Sequence, residues 1–249
     1  MELSTKSYGG HGPHLIFLHG WGQNKESWEP LAKFFQKDYR VHLLDLPGFG
    51  DTPRPENTWG TSDYAEKVAS YIKDNEIKDA ILLGHSFGGK VILDLALNNP
   101  GLIDRAILIA AAGMCPQRSW WRHCYLFFLM LYRKSLQYFD KVFHRDLYRK
   151  YFIPRFASAD YQKNKGIRDI LVKVLSENYD DRVADIKHPI QLIWGNLDRE
   201  TPISMGYKLK VLLPNSRFLL LSGKDHFPFK GVGSHLCAYH IKKFLEDRG

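Results

Sequence analysis

The segment 80–99, AILLGHSFGGKVILDLALNN, decides the fold of this chain. Its opening is a short, nearly continuous aliphatic run, the pattern of a strand buried on both faces. GHSFGG (84–89) follows at once, and from Phe87 the residues read as a helix that ends before Pro100. A GxSxG turn between strand and helix is the context of a nucleophile elbow, which holds a serine exposed at a sharp bend. Glycine at 84 and 88 lets that bend close and lets the helix approach the strand. Ser86 is thereby the candidate nucleophile, near a helix N-terminus whose partial positive charge favours an anion. A glycine-rich turn with an incidental serine is the plainer alternative, which the flanking strand and helix disfavour.

Similar alternation extends on both sides. LIFLHG (15–20), VHLLDL (41–46) and RAILIAA (105–111) read as buried strands, and 27–37 and 61–75 as helices between them. Thr61 is placed to cap the second helix, with Asp63 and Glu66 favourable in its first turn. From Cys115 to Asp185 no strand pattern occurs. It resumes with PIQLIWG (189–195), a helix over 203–213, RFLLLSG (217–223) and a closing helix over 234–247. This order predicts a mostly parallel α/β sheet interrupted once by a helical insertion. The expected organisation is a core over 1–114, a helical cap over 115–185, and the rest of the core over 186–249.

A serine hydroxyl needs a base, and the base needs an acid to orient it. His226 stands just beyond the last strand and Asp198 just beyond the one before, where parallel sheets gather catalytic groups. The chain order Ser86, Asp198, His226 is that of nucleophile, acid and base in one hydrolase class. Asp225 adjoins His226 and reads better as a surface acid. AAGMCPQ (111–117) offers no competing carboxylate. His85 reads as a packing residue and His19 as the holder of its own loop. LHGWG (18–22) ends a strand, and its Trp21 amide, with that of Phe87, is placed to form an oxyanion hole.

Together LHGWG, DLPGFGDT (45–52), GHSFGG, GNLDRETP (195–202) and DHFPF (225–229) resemble the α/β-hydrolase superfamily. That resemblance implies an eight-stranded, mostly parallel sheet with a cap after strand six, and acyl transfer without a cofactor. Serine at 86 disfavours the members that carry aspartate there, the haloalkane dehalogenases and epoxide hydrolases. LHGWG followed by HLLDLPGFG is most similar to the pimeloyl-[acyl-carrier protein] methyl ester carboxylesterase group, from which His85 departs where tryptophan is usual. A carbon–carbon bond hydrolase or thioesterase of the same fold, or a non-catalytic binding module, are the alternatives.

Among the 249 residues, the balance of hydrophobic (44%) and charged (25%) side chains is that of a globular protein. Three cysteines without a CxxC pair suggest neither a disulfide framework nor a zinc site, and no metal is expected. The longest apolar run, 124–132, is about half of a membrane span, and residues 1–10 lack signal-peptide character. A soluble, cytoplasmic protein is expected. Net charge is +8, yet 117–168 holds twelve Lys or Arg against three Asp or Glu, a local +9. The other 23 basic and 24 acidic residues nearly cancel. A predominantly basic, aromatic cap suggests an acidic partner, met by Arg145, Arg149 and Lys150. An acyl carrier protein or coenzyme A thioester fits, as does an anionic membrane surface; no nucleic-acid motif accompanies the charge.

Overall fold

A computed structural model describes residues 1–115, 120–156 and 165–247. Parts of the basic segment counted above, including Gln117, Arg118 and residues 157–164, lie outside the described residues. The chain divides into two compact units, one of residues 1–116 and 172–249 and an inserted one of 117–171.

The first unit is built on a seven-stranded sheet: β1 (Thr5–Tyr8), β2 (His14–Leu18), β3 (Arg40–Leu44), β4 (Ala80–His85), β5 (Ile103–Ile109), β6 (Ile190–Gly195) and β7 (Ser216–Leu221). The spatial order is β1-β3-β2-β4-β5-β6-β7, with β1 antiparallel to β3 and every other pair parallel. The described residues thus form seven strands rather than eight, and the insertion follows the fifth. β1, with the mostly exposed sequence TKSY, has no apolar run to reveal it and exists only by pairing along β3. The aliphatic runs occupy the centre: Leu15, Ile16, Phe17, Leu43, Leu82, Leu83, Ile107, Leu108, Leu192 and Ile193 are fully buried. Buried aliphatic surface of this kind contributes roughly 25 cal/mol per Å².

Helices α1 (Glu29–Ala32), α2 (Thr61–Asp74), α3 (Phe87–Asn98), α4 (Trp120–Phe143), α5 (Ile153–Phe156), α6 (Arg168–Ser176), α7 (Ile203–Leu212) and α8 (Gly233–Glu246) follow in chain order. The helix expected over 27–37 is mostly tighter structure. A 3₁₀ turn spans Lys25–Trp28, α1 lasts four residues, and Phe34 and Phe35 donate to carbonyls three residues back. Trp28, Leu31 and Phe35 are fully buried, so packing overrides helical regularity there. Thr61 is not the cap of α2. Gly60 holds that position, its N–H bonded to Asp63 (2.7 Å), while Glu177 accepts from both the N–H and the hydroxyl of Thr61.

Residues 172–185, expected within the cap, pack with the core unit. Lys90 donates to the carbonyls of Val174 and Glu177, the latter at 2.8 Å. The Tyr179 hydroxyl donates to buried Asp94 at 2.5 Å. Lys90 and Asp94 both sit on α3, so the segment 174–179 is tied to that helix within the core unit.

Within the inserted unit, α4 runs 24 residues and Asp140 near its end accepts the N–H groups of Leu147 and Tyr148 at 2.6 and 2.8 Å. A π-helical turn, Tyr148–Phe152, leads into α5. Phe127, Phe128, Tyr138 and Phe143 are exposed. No helix among the described residues is long and apolar enough to cross a membrane.

Candidate active site

Strand register brings the loops of the candidate residues together beyond the carboxyl ends of the parallel strands. Leu18 of β2 pairs with Gly84 of β4, so the LHGWG loop and the serine turn leave adjacent strands side by side. His85 pairs with Ile109, Ile109 with Ile193, and Gly195 with Leu221, which carries the same end of the sheet across to the loops of Asp198 and His226. β3 and β4 flank β2 on opposite sides, a switch point of the kind at which open α/β sheets bind ligands.

Ser86 has φ 48° and ψ −109°, a left-handed conformation that L-residues avoid and that costs about 1–3 kcal/mol. Flanking bonds impose it. Its N–H donates to Ile109 O at 3.0 Å, and its carbonyl accepts from Ala112 (2.9 Å) and Lys90 (3.1 Å). A Cβ on Gly84 would stand 2.6 Å from the Gly88 carbonyl carbon, and one on Gly88 would overlap the Leu18 carbonyl. The serine is half-buried, and its hydroxyl has no hydrogen-bond partner among the described residues.

His226 is buried, with Nδ1 at 2.9 Å from Asp198 Oδ2. Asp198 Oδ1 accepts the N–H groups of Glu200 and Thr201, both at 2.9 Å, so the carboxylate is held from two sides. Thr201 Oγ1 lies 2.9 Å from Asp198 Oδ2 and 3.0 Å from Ala110 O. Because Asp198 accepts at Oδ2, Nδ1 of His226 carries the proton in the neutral ring and Nε2 is left as the basic nitrogen. Asp225 is exposed and accepts only the Phe227 N–H (2.9 Å) among the described groups, the pattern of a surface turn.

The two histidines read as structural are both fully buried. His19 lies 2.8 Å from Gly20 O through Nδ1 and accepts the Leu46 N–H at Nε2 (3.0 Å), tying the loops after β2 and β3 together. Burial pushes its pKa down to about 4. His85 reaches His226 O through Nε2 (2.8 Å) and Gln23 Nε2 through Nδ1 (3.2 Å). Burial first, and the neighbouring His226 next, hold its pKa well below the usual histidine range.

Trp21 packs edge-on against Phe87, ring centroids 5.3 Å apart. No described hydrogen bond uses the Trp21 N–H, and Phe87 is the first residue of α3, where backbone donors lack intrahelical acceptors. Thr201, Gln23 and Glu200 escape the sequence reading. A turn-favouring threonine three residues after Asp198 and just before Pro202 was the available signal for the first; the other two carry none. Among the described residues no cluster of His, Cys, Asp or Glu could hold a metal ion.

Similarity to known proteins follows the same lines. A pimeloyl-[acyl-carrier protein] methyl ester esterase of Vibrio parahaemolyticus is 27% identical, covering 99% of each chain. Its counterpart in Pseudoalteromonas atlantica is 29% identical over 98% of this chain and 96% of its own. A bacterial membrane phospholipase A superposes with a TM-score of 0.76 at 23% identity, over 98% of this chain and 82% of that one. A meta-cleavage product hydrolase from Pseudomonas fluorescens does so with a TM-score of 0.73 at 21% identity, over 99% and 95%. Residues 15–231 match the family described as the alpha/beta hydrolase family, and the chain belongs to it.

Proposed function

We propose that this protein hydrolyses carboxylic esters of acyl chains, through Ser86 as nucleophile, His226 as general base and Asp198 as the acid that orients it. The observation that carries the reading is the 2.9 Å contact between His226 Nδ1 and Asp198 Oδ2, on loops that leave the same carboxyl end of the sheet as the strained Ser86. The Ser86 hydroxyl gives its proton to Nε2 as Oγ attacks the ester carbonyl. Asp198 stabilises the imidazolium that results, and the amides of Trp21 and Phe87 receive the oxyanion. The imidazolium then protonates the leaving alcohol, and water, deprotonated by His226, releases the acid from the acyl-enzyme. Bonds between His226 and a nucleophile tighten when substrate is bound, so an unpartnered hydroxyl accords with this role.

The substrate class follows the relatives named as pimeloyl-[acyl-carrier protein] methyl ester esterases: an ester whose acyl chain is borne by a carrier. The inserted unit serves as a cap that draws an acidic carrier through Arg145, Arg149 and Lys150. Arg149 is exposed and only loosely paired with Asp146, at 4.0 Å, which leaves it open to a partner. Profiling p-nitrophenyl esters of increasing length beside methyl esters of acyl-carrier and coenzyme A thioesters tests the substrate. Joint reversal of the three cations to Glu is expected to lower kcat/KM on the carrier-borne ester tenfold or more, sparing a small ester. Equal loss on both refutes the steering.

A second surface reading is favoured by exposed Phe127, Phe128, Tyr138 and Phe143 on a basic helix: docking on an anionic membrane. Sedimentation with vesicles of phosphatidylglycerol and phosphatidylcholine, against phosphatidylcholine alone, decides it.

A further inference from the structure

Glu200 places a carboxylate where a neutral hydrolase site has no need of one. Its Oε2 lies 3.4 Å from Nε2 of His226, the nitrogen opposite the one bonded to Asp198. Its backbone position is set by the turn around Asp198, whose Oδ1 accepts the Glu200 N–H at 2.9 Å. The side chain is 63% exposed, so it lies on the solvent side of His226 and not within the core. Among the described residues, no Lys or Arg lies within ion-pair distance of it.

The position of that charge has a chemical consequence. Nε2 is the atom that exchanges a proton with Ser86 and with the leaving group, so it adjoins the carbonyl under attack. A carboxylate beside it repels any second negative charge on the acyl fragment near that carbonyl. It also repels the carboxylate product, which acquires its charge only when the acyl-enzyme is hydrolysed. We propose that Glu200 is a specificity residue that restricts the site to esters uncharged near the scissile bond and expels the carboxylate they become. The inference rests on the ester-hydrolase reading above and narrows its substrate class. A distant anionic carrier and a neutral ester end are compatible demands. Screened attraction acts at long range on the carrier, whereas local repulsion at Glu200 sorts the group being cut.

The test compares two nearly isosteric substrates, methyl pentanoate and monomethyl succinate, on wild-type protein and on Glu200→Gln. The wild type is expected to prefer the neutral ester, and the substitution to shrink the ratio of the two kcat/KM values about three- to tenfold. That is the size of a charge–charge effect at a partly exposed site. Inhibition by pentanoate is expected to tighten by a similar factor in Glu200→Gln, and Glu200→Asp to keep most of the discrimination. In 0.5 M salt the wild-type ratio should fall toward that of the variant, as screening predicts. An unchanged ratio with unchanged pentanoate inhibition overturns the inference while leaving the hydrolase reading intact. A wild type that cleaves neither ester, nor any p-nitrophenyl ester, overturns the reading and the inference with it.

Discussion

Nε2 of His85 lies 2.8 Å from the backbone carbonyl oxygen of His226, 141 residues further along the chain. A carbonyl only accepts, so Nε2 carries the proton, and Nδ1 is left to accept from the Gln23 side-chain amide at 3.2 Å. One neutral ring thus spans three loops: the one that bears Trp21, the elbow that bears Ser86, and the one that bears His226. Replacing His85 with Phe leaves the His226 carbonyl and the Gln23 amide unpaired. Stability is expected to fall by about 1–3 kcal/mol in urea titrations. kcat on a p-nitrophenyl ester should fall about ten- to hundredfold, because a displacement of about 1 Å at a catalytic group carries that cost. A variant with lost stability and unaltered kcat would show that His85 only packs.

Asp198→Asn keeps an acceptor for the two backbone N–H groups at Oδ1 but can present an N–H to His226. The ring then favours the wrong tautomer. A loss of about 10⁴-fold in kcat is expected with little change in thermal midpoint. Asp198→Ala, which removes both acceptors, should also destabilise the fold.

Folding stability should weaken on acidification in a defined window. His19 is fully buried and its folded pKa is depressed to about 4 from 6.5, chiefly by burial. The unfolded chain therefore binds a proton that the folded one refuses. The stability is complete above pH 6.5 and is lost as pH falls from there toward 4. At pH 5 the cost of this one group is about 2 kcal/mol. His85, depressed in the same direction, adds to it. Urea unfolding at pH 7 and pH 5 measures the sum, and His19→Gln should flatten the slope.

Gly88→Ala should damage the fold rather than the chemistry alone. Its methyl group would meet the Leu18 carbonyl where α3 crosses β2. A destabilisation of about 2–3 kcal/mol is expected by thermal or urea unfolding. A variant as stable as wild type would show that helix and strand can separate there at no cost.

Much of the fold was legible because its signals are local. Six of the seven strands contain aliphatic runs. The central ones are covered on both faces and so are mostly apolar. β7, at the far side of the sheet and half exposed, still carries Leu219, Leu220 and Leu221. The serine elbow is legible because the bend excludes side chains, and that exclusion writes glycine into the chain. β1 was not legible, as a mostly exposed edge strand has no such composition. The cap of α2 was misread for a different reason: Glu177, 116 residues from Thr61, satisfies the donors that a local cap would have taken.

By itself the sequence determined the α/β alternation, its single helical interruption, and the loops that bear Ser86, Asp198 and His226. Hydrophobic period, glycine and chain order are all properties of neighbouring residues. Only the tertiary structure decided that Asp198 meets His226 and that His85 links three loops. It alone set Glu200 beside Nε2 and returned residues 172–185 to the core. These depend on strand register and on the packing of buried polar groups, which must find partners wherever the fold brings them. No local pattern along the chain encodes which partner that will be.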